Sequence, residues 1–591
     1  MSHQYEMLER ILDSLRKEAP ESYKTYFPTE KNVEGLNKAR SLAFIHLLLK
    51  VKFGVFDFLD RHKLITDGTQ DGGLDAYFID EERKKLFLIQ SKFRNTPENF
   101  DEKMIDANDL IKMEVSRITK GQPDDSKGVN FNEKIKSFQE SLRNIRDIAK
   151  YDFIVFFLGN VYNYSDQQIR RLIDNCNYEI YNADKAYEKL LFPLTTGTYY
   201  DPDEIIISLE LSQKESPRLK QLIDTDFGQF NVTAIFVPTY EIGRVMAKYK
   251  NAILKFNPRN FLSLQKRSVN EKIRNSILEK KKNNFAILNN GITVLCENVS
   301  ISESTGKQNE GQLILTRPQI LNGGQTAFTL CTIFEENLDK PNNPLSGKEV
   351  LLKIITPVSS SINVDSEFVE LISNATNQQN EVSEADRRSN NDIQIRLQDL
   401  IFNKYGYFYE RKAGEFHDGL QNNFINKNLV IDRFDFIKAY WAFLGEPAAA
   451  RRTSEALTFK EDTFFRILND TNKFNEMFFA YLLFRSMVIL ESSFKKKTDT
   501  IKDFGYAIMY GKWALISSIG IVKPNIPKEL KGISDLVNVQ LRERLKVWIQ
   551  FDNFIQNKRR DTKYFSENRN NFELYYKVNI LDEDVKEYFL K

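Results

Sequence analysis

One stretch constrains the N-terminal part of this chain more than any other. It reads Asp67-Gly68-Thr69-Gln70-Asp71-Gly72-Gly73-Leu74-Asp75-Ala76, followed by Leu88-Ile89-Gln90-Ser91-Lys92. Leu74–Ile79 and Leu86–Phe93 carry strand-like apolar patterning. Between them lies the charged turn Asp80-Glu81-Glu82-Arg83, so a hairpin is expected. Strand alternation puts Gln90 and Lys92 on one face, and pairing of the hairpin would bring Asp75 beside them. A carboxylate, an amide oxygen and an ammonium would then converge. That set suits phosphodiester hydrolysis. The carboxylate can hold a hard cation such as Mg²⁺, the cation can polarise a phosphate and acidify water, and the lysine can stabilise developing negative charge. Gly72 and Gly73 would let the backbone turn sharply and let a phosphate approach.

Composition narrows the rest. Cys176, Cys296 and Cys331 are the only cysteines among 591 residues, and His3, His46, His62 and His417 the only histidines. With no CxxC and no HExxH spacing, a zinc site is not expected, and the scattered thiols fit a reducing cytoplasm. His46 lies in an apolar helical run and reads as a packed or rim histidine. Lys+Arg is 84 against Asp+Glu 82, a net charge of +2. Any nucleic-acid surface must therefore be a local patch rather than a polybasic coat. The N-terminus has no apolar signal segment. Phe478–Leu490 and Trp513–Val522 fall short of the roughly 20 apolar residues that a bilayer requires, so no membrane partner is expected. At 41% apolar and 28% charged residues the composition is globular, and the length predicts several domains.

The Asp-Gly-Gly-Leu-Asp and Gln-Ser-Lys segments resemble the PD-(D/E)xK nuclease superfamily in its Mrr-like variant, where Gln replaces an acid. The resemblance implies that Asp75 is the metal-binding aspartate, Gln90 the second metal ligand and Lys92 the catalytic lysine. Asp71 would be a further ligand or a turn-stabilising residue. The superfamily often has an acid on its first helix, for which Glu34 is the candidate.

Along the chain, helices are expected at Glu6–Lys17, Asn37–Lys50, Phe100–Ile118 and Glu133–Ala149, and from about Ser165 to Asn175 with Ser165 as N-cap. Phe153–Leu158 suits a buried strand. Ile205–Leu211, Val232–Val237, Leu313–Leu315, Gln319–Leu321 and Leu351–Thr356 are further strands. Ala286–Leu288 and Ile292–Cys296 flank an Asn-Gly turn. Beyond about residue 430 the pattern is almost wholly helical.

A second constellation is rich in amides and glycines. Its segments are Phe285–Thr293 with Asn289-Asn290-Gly291, Pro318–Thr326 with Asn322-Gly323-Gly324-Gln325-Thr326, and Asn374–Val382 with Asn377 and Gln379. The last runs on to Asp386-Arg387-Arg388. A strand, a glycine-rich turn and a helix start would place N–H groups around a concavity suited to an anion. Tyr407–Lys412 and Asn257-Pro258-Arg259-Asn260 add to the pattern. In this order the segments resemble the abortive-infection phage-resistance (AIPR) family, over roughly residues 240–450. Asn289, Asn290, Asn322, Gly323, Gly324, Gln325, Thr326, Asn377, Gln379 and Arg387 are the candidate ligand-binding residues. The Asn-Gly-Gly-Gln-Thr turn is also loosely similar to the nucleotide-binding turn of ParB-like folds, with its Arg and His replaced. The rival account is that these asparagines build scaffold turns. Lys280–Lys282, Lys495–Lys497 and Lys558–Arg560 are basic runs, solvated ends or DNA-phosphate contacts.

The expectation is an α/β multidomain chain. It comprises a PD-(D/E)xK-like nuclease domain at 1–240, an AIPR-type α+β module at 241–430 and a helical region at 431–591. The function these resemblances imply is a cytoplasmic bacterial antiphage nuclease that hydrolyses DNA with Mg²⁺ or Mn²⁺. The residues themselves leave RNA open. They also leave room for a nucleotide or phage-derived trigger and for a homo-oligomer. Two other readings stand beside it: a non-catalytic nucleic-acid or nucleotide-binding regulator, and a type IV-like restriction enzyme acting on modified DNA.

Overall fold

The computed structural model describes residues 3–590 apart from 30, 82, 106–112, 163, 201–202, 212–217, 258–266, 280–281, 304–307, 339, 341, 359–371, 373–382, 495 and 567–568. The chain divides into two compact units. One is Met1–Asn363 with Glu415–Lys427, and the other is Val364–Gly414 with Asn428–Lys591.

The first unit opens with helices α1 (His3–Arg16) and α2 (Val33–Val51). Asn32 caps α2 by accepting from the Gly35 N–H at 2.8 Å. Residues 42–49 of α2 are all buried, so this helix is enclosed rather than one-faced. The short α3 (Phe58–Lys63) leads to a four-stranded sheet of β1 (Ala76–Asp80), β2 (Lys85–Ser91), β3 (Asp152–Leu158) and β4 (Asn177–Tyr181), in that order. The expected hairpin is present: β1 and β2 pair antiparallel. Strands β2–β3 and β3–β4 pair parallel. The inner strands β2 and β3 are continuous apolar runs because helices cover the sheet on both sides. Helix α4 (Glu133–Asn144) lies in the crossover between them, and α5 (Asp166–Leu172) follows β3. Ser165 caps α5 in a reciprocal capping box with Gln168.

The helix expected over Phe100–Ile118 is instead two short turns, Pro97–Glu102 and Val115–Thr119, with 106–112 outside the described residues. Tertiary bonds end the first turn. The Asn160 amide donates to the Phe100 carbonyl at 2.8 Å, and the Ile105 N–H donates to the Asn160 carbonyl at 2.8 Å.

Strands β5 (Glu204–Glu210), β6 (Leu219–Thr225) and β7 (Gly228–Pro238) do not join the first sheet. They combine with β8 (Ile292–Leu295), β9 (Asn298–Ser302), β10 (Glu310–Thr316), β11 (Gln319–Asn322) and β12 (Glu349–Pro357). One sheet has the order β5-β10-β9 and the other β11-β8-β12-β7-β6. Helices α6 (Thr239–Tyr249) and α7 (Gly324–Glu336) cross closely. A Cβ on Gly243 would stand 2.8 Å from the Leu330 carbonyl, so only glycine fits there. Ahead of the Asn-Gly turn, Phe285–Leu288 is a helical turn; after it, β8 pairs with β11 and β12. Glu415–Lys427 returns to this unit, where Gly419 packs against Thr195.

The second unit is mainly helical. It contains helices α8 (Asp392–Tyr405), α9 (Arg433–Phe443), α10 (Phe474–Ser492), α11 (Lys512–Gly520), α12 (Leu530–Lys558) and α13 (Ile580–Phe589), with α8 and α9 packed on a small parallel pair, β13 (Phe408–Glu410) with β14 (Val430–Asp432). Among the described residues no helix is long and apolar enough to cross a membrane.

Candidate metal centre

The register of the hairpin sets the site. Ala76 lies opposite Ile89, so one further step places Asp75 opposite Gln90. The Asp75 N–H donates to the Ile89 carbonyl at 2.9 Å, and its carboxylate Oδ2 accepts from the Ser91 N–H at 2.6 Å. The Asp75 carbonyl accepts from the N–H groups of Thr66 and Asp67, at 2.9 and 3.0 Å. Backbone and side chain of Asp75 are therefore both fixed to the start of the hairpin. Gln90 is buried, and Lys92 follows the end of β2 with its N–H bonded to Leu158 at 2.9 Å.

Asp71 shapes the loop. Its two oxygens accept from Gly73 at 2.8 Å and Gly68 at 3.0 Å. Gly72 and Gly73 have φ of +63° and +73°. A Cβ on Gly72 would come within 2.7 Å of Phe131 and 2.9 Å of Ile118. Gly72 is therefore required by left-handed backbone and by packing against the core, rather than for the approach of a phosphate.

This loop brings together three carboxylates, Asp67, Asp71 and Asp75, whose ligand oxygens lie within 4.8 Å of one another. Asp67 was not among the expected ligands. Its signal was present, because aspartates recur at every fourth position of a glycine-rich run. Glu34 is exposed in the first turn of α2 and is not part of this cluster. Burial pushes the Asp75 carboxyl up to about 8, and the charges of Asp67 and Asp71 add to the rise. The Ser91 N–H and the Lys92 ammonium oppose it without cancelling it. Asp71 is also raised, first by burial, against the Gly73 and Gly68 N–H groups. The cluster thus concentrates negative charge that the protein only partly compensates.

Sequence reasoning also missed the polar network behind the loop. Arg61 is fully buried and donates from Nε to His46 Nδ1 at 3.1 Å, and it pairs with Glu18. An arginine can only donate, so His46 Nδ1 accepts and its Nε2 carries the proton. That nitrogen meets the Tyr26 hydroxyl at 2.9 Å, and Tyr26 meets His62 Nδ1 at 3.1 Å. Asn132 caps α4 and donates to the Thr69 carbonyl at 3.2 Å, while the Lys134 ammonium donates to the Asp67 carbonyl at 3.2 Å.

The amide- and glycine-rich segments also meet. Asn289 donates to the Thr326 hydroxyl at 3.2 Å and accepts from the Gly291 N–H at 2.9 Å. Gly323 has φ of +83°, and a Cβ there would stand 2.8 Å from the Gly291 carbonyl. The Asn322 side chain accepts from the Gly323 N–H at 2.7 Å. Asn257 donates to the carbonyls of Ile320 and Leu321, at 3.4 and 3.3 Å. These asparagines build the turns and fasten them together. Gly324 and Thr326 are buried, Gln325 is half-buried and Asn290 is exposed.

A family model described as AIPR protein matches residues 254–569, more than half of the chain. The chain belongs to the AIPR family. Membership points to abortive-infection phage defence. No curated protein and no solved structure matches the chain.

The AIPR match includes the Asn289–Thr326 contact and the second unit as far as residue 569, whereas the acidic cluster lies N-terminal to it. In the second unit of this AIPR protein, Tyr407–Lys412 is part of a buried network. Tyr409 donates to Gln394 at 3.1 Å, Gln398 donates to the Tyr409 carbonyl at 2.8 Å, and Arg411 donates to Gln398 at 2.8 Å. Arg387 pairs with Glu384 of its own helix at 3.2 Å. Asn377, Gln379 and Arg259 lie outside the described residues. Lys558 and Arg559 bind Asp584 at 2.7 and 2.6 Å, so their charge is used within the fold.

Proposed function

We propose that this AIPR protein is a metal-dependent nuclease of phage defence, hydrolysing phosphodiester bonds of DNA at the loop that precedes β1. The observation that carries the reading is the set of three carboxylates within 4.8 Å of one another. They lie close enough to Lys92 for its charge to act on Asp71 and Asp75.

The donor set fits a hard divalent cation. It offers carboxylate oxygens, with the Gln90 amide opposite Asp75, and no thiol. Burial and mutual repulsion disfavour three negative charges here, and a cation such as Mg²⁺ or Mn²⁺ would relieve both. Asp75, Asp71 and Asp67 would hold it, with Gln90 as a further oxygen donor. When bound, it would supply Lewis acidity toward a phosphoryl oxygen and acidify a water.

The remaining work belongs to the chain. The Ser91 N–H fixes Asp75, and the Gly68 and Gly73 N–H groups fix Asp71, so neither carboxylate must reorganise to bind. Lys92 places a positive charge where the phosphate gains negative charge. We further propose that the segments around Asn290, Asn322 and Gln325 sense a nucleotide or phage-derived trigger. DNA is favoured over RNA because the Mrr-like nucleases that the motif resembles largely cut DNA.

The test is cleavage of plasmid and single-stranded DNA in Mg²⁺ or Mn²⁺ by the wild type and by Lys92→Ala. Cleavage by the wild type alone is expected. A well-folded wild type that leaves both substrates intact would falsify the nuclease reading. Equal cutting by Lys92→Ala would overturn the site assignment.

A further inference from the structure

Strand β6 stands at the end of the five-stranded sheet, hydrogen-bonded to β7 on one side. Among the described residues no strand pairs with its other side. All seven of its residues are exposed, including Leu219 at 69%, Leu222 at 54% and Ile223 at 40%. An edge strand of this kind, without proline or bulge, is a template for another strand, and proteins that avoid such pairing usually block it.

The sequence of β6 specifies which strand fits. It reads Leu219-Lys220-Gln221-Leu222-Ile223-Asp224-Thr225. Laid antiparallel against a copy of itself about Leu222, it sets Lys220 opposite Asp224 twice, once on each side of the axis. Leu222 meets its own copy, Leu219 meets Thr225 and Gln221 meets Ile223. The flanking Arg218 and Asp226 continue the same complementarity. Moving the centre to Gln221 or Ile223 sets Lys220 or Asp224 against an apolar side chain. A one-residue slip would also exchange the two faces of the strand. The charge order, positive in the first half and negative in the second, therefore matches a reversed copy of the same strand.

We propose that β6 is a homodimerisation edge. Two copies of this chain pair antiparallel through β6 about a two-fold axis at Leu222, joining two five-stranded sheets into one. Main-chain hydrogen bonds and burial of Leu219, Leu222 and Ile223 supply the affinity. The exposed Lys220–Asp224 pairs fix register and orientation more than they add strength. The interface stands independently of the acidic cluster.

The test uses the full chain in sedimentation velocity. The wild type should dimerise. Lys220→Glu and Asp224→Lys each place like charges opposite one another in both symmetric contacts, and each should weaken the dimer at least about tenfold. The double variant restores opposite charges and should return to within about threefold of the wild type. Leu222→Cys should cross-link two copies under mild oxidation, because directly opposed residues of an antiparallel pair lie within disulfide reach. Asp224→Cys should not, because its copies are four residues apart along the pair. A wild type that stays monomeric, leaving the edge to a strand from another protein, overturns the proposal. So does a dimer insensitive to both charge reversals, or one in which Leu222→Cys fails to cross-link.

Discussion

The Asp75 carboxylate accepts its 2.6 Å hydrogen bond from the backbone N–H of Ser91, the residue between Gln90 and Lys92. One bond thus ties the acid that enters the hairpin to the segment that carries the amide and the ammonium. An asparagine can accept the same bond through its carbonyl oxygen. Asp75→Asn should therefore fold normally. Without a divalent cation its melting temperature should equal or exceed that of the wild type, because the fold disfavours the ionised Asp75 carboxyl that the unfolded chain prefers, and the amide has no such penalty. The increase that Mg²⁺ or Mn²⁺ gives the wild type should disappear, which differential scanning fluorimetry would measure. A melting temperature well below that of the wild type in chelator would refute the account of repulsion.

Asp67 belongs to the carboxylate cluster but not to the Asp-Gly-Gly-Leu-Asp motif, so it separates the cluster from the motif alone. Asp67→Asn should raise the metal concentration needed for half-maximal cleavage by about tenfold or more, while Glu34→Gln should leave it unchanged. A metal titration of plasmid cleavage decides the point. Equal dependence in both variants would remove Asp67 from the centre.

His46 predicts an acid sensitivity of the first unit. Burial, reinforced by Arg61, lowers its imidazole to about 2, so the folded protein keeps it neutral while the unfolded chain protonates it near the ordinary value of 6.5. The unfolded state then binds more protons throughout that window. The stability due to neutral His46 is complete above about pH 6.5 and declines as pH falls, by about 2 kcal/mol between pH 6.5 and 5. His46→Gln, which can accept from Arg61 and donate to Tyr26, should flatten that slope in chemical denaturation. An unchanged slope would place the sensitivity elsewhere.

Gly323 should not tolerate a side chain. Its φ of +83° and the Gly291 carbonyl 2.8 Å from a built Cβ both oppose one. Gly323→Ala should lose about 1–3 kcal/mol or more of stability. Gly347→Ala, where φ is +68° but nothing lies within 4 Å, should lose less. Comparing the two separates backbone strain from close approach.

The hairpin, the buried β3 and the Ser165 cap were legible in the sequence because each depends on local periodicity or on one capping side chain. The helix expected over Phe100–Ile118 was not, because Asn160, some sixty residues away in sequence, captures the Phe100 carbonyl. The placing of Asp75 opposite Gln90 was legible from strand alternation together with hairpin pairing. Asp67 needed the loop closure made by the Asp75 carbonyl, and the Arg61–His46–Tyr26 network needed three separate segments to meet. Strand β6 was not legible, because Leu219, Leu222 and Ile223 do not alternate with polar residues as a strand with one buried face would.

The position of β7 has a consequence for truncation. It lies between β12 and β6, yet it ends before residue 254, where the AIPR match begins. A gene fusion joined at that residue would deprive β12 of its antiparallel neighbour and leave Val350, Leu352 and Ile354 without the strand they pack beside. A fragment meant to keep both of these sheets whole would have to begin upstream of β5. The sheets begin earlier in sequence than the similarity that marks the family.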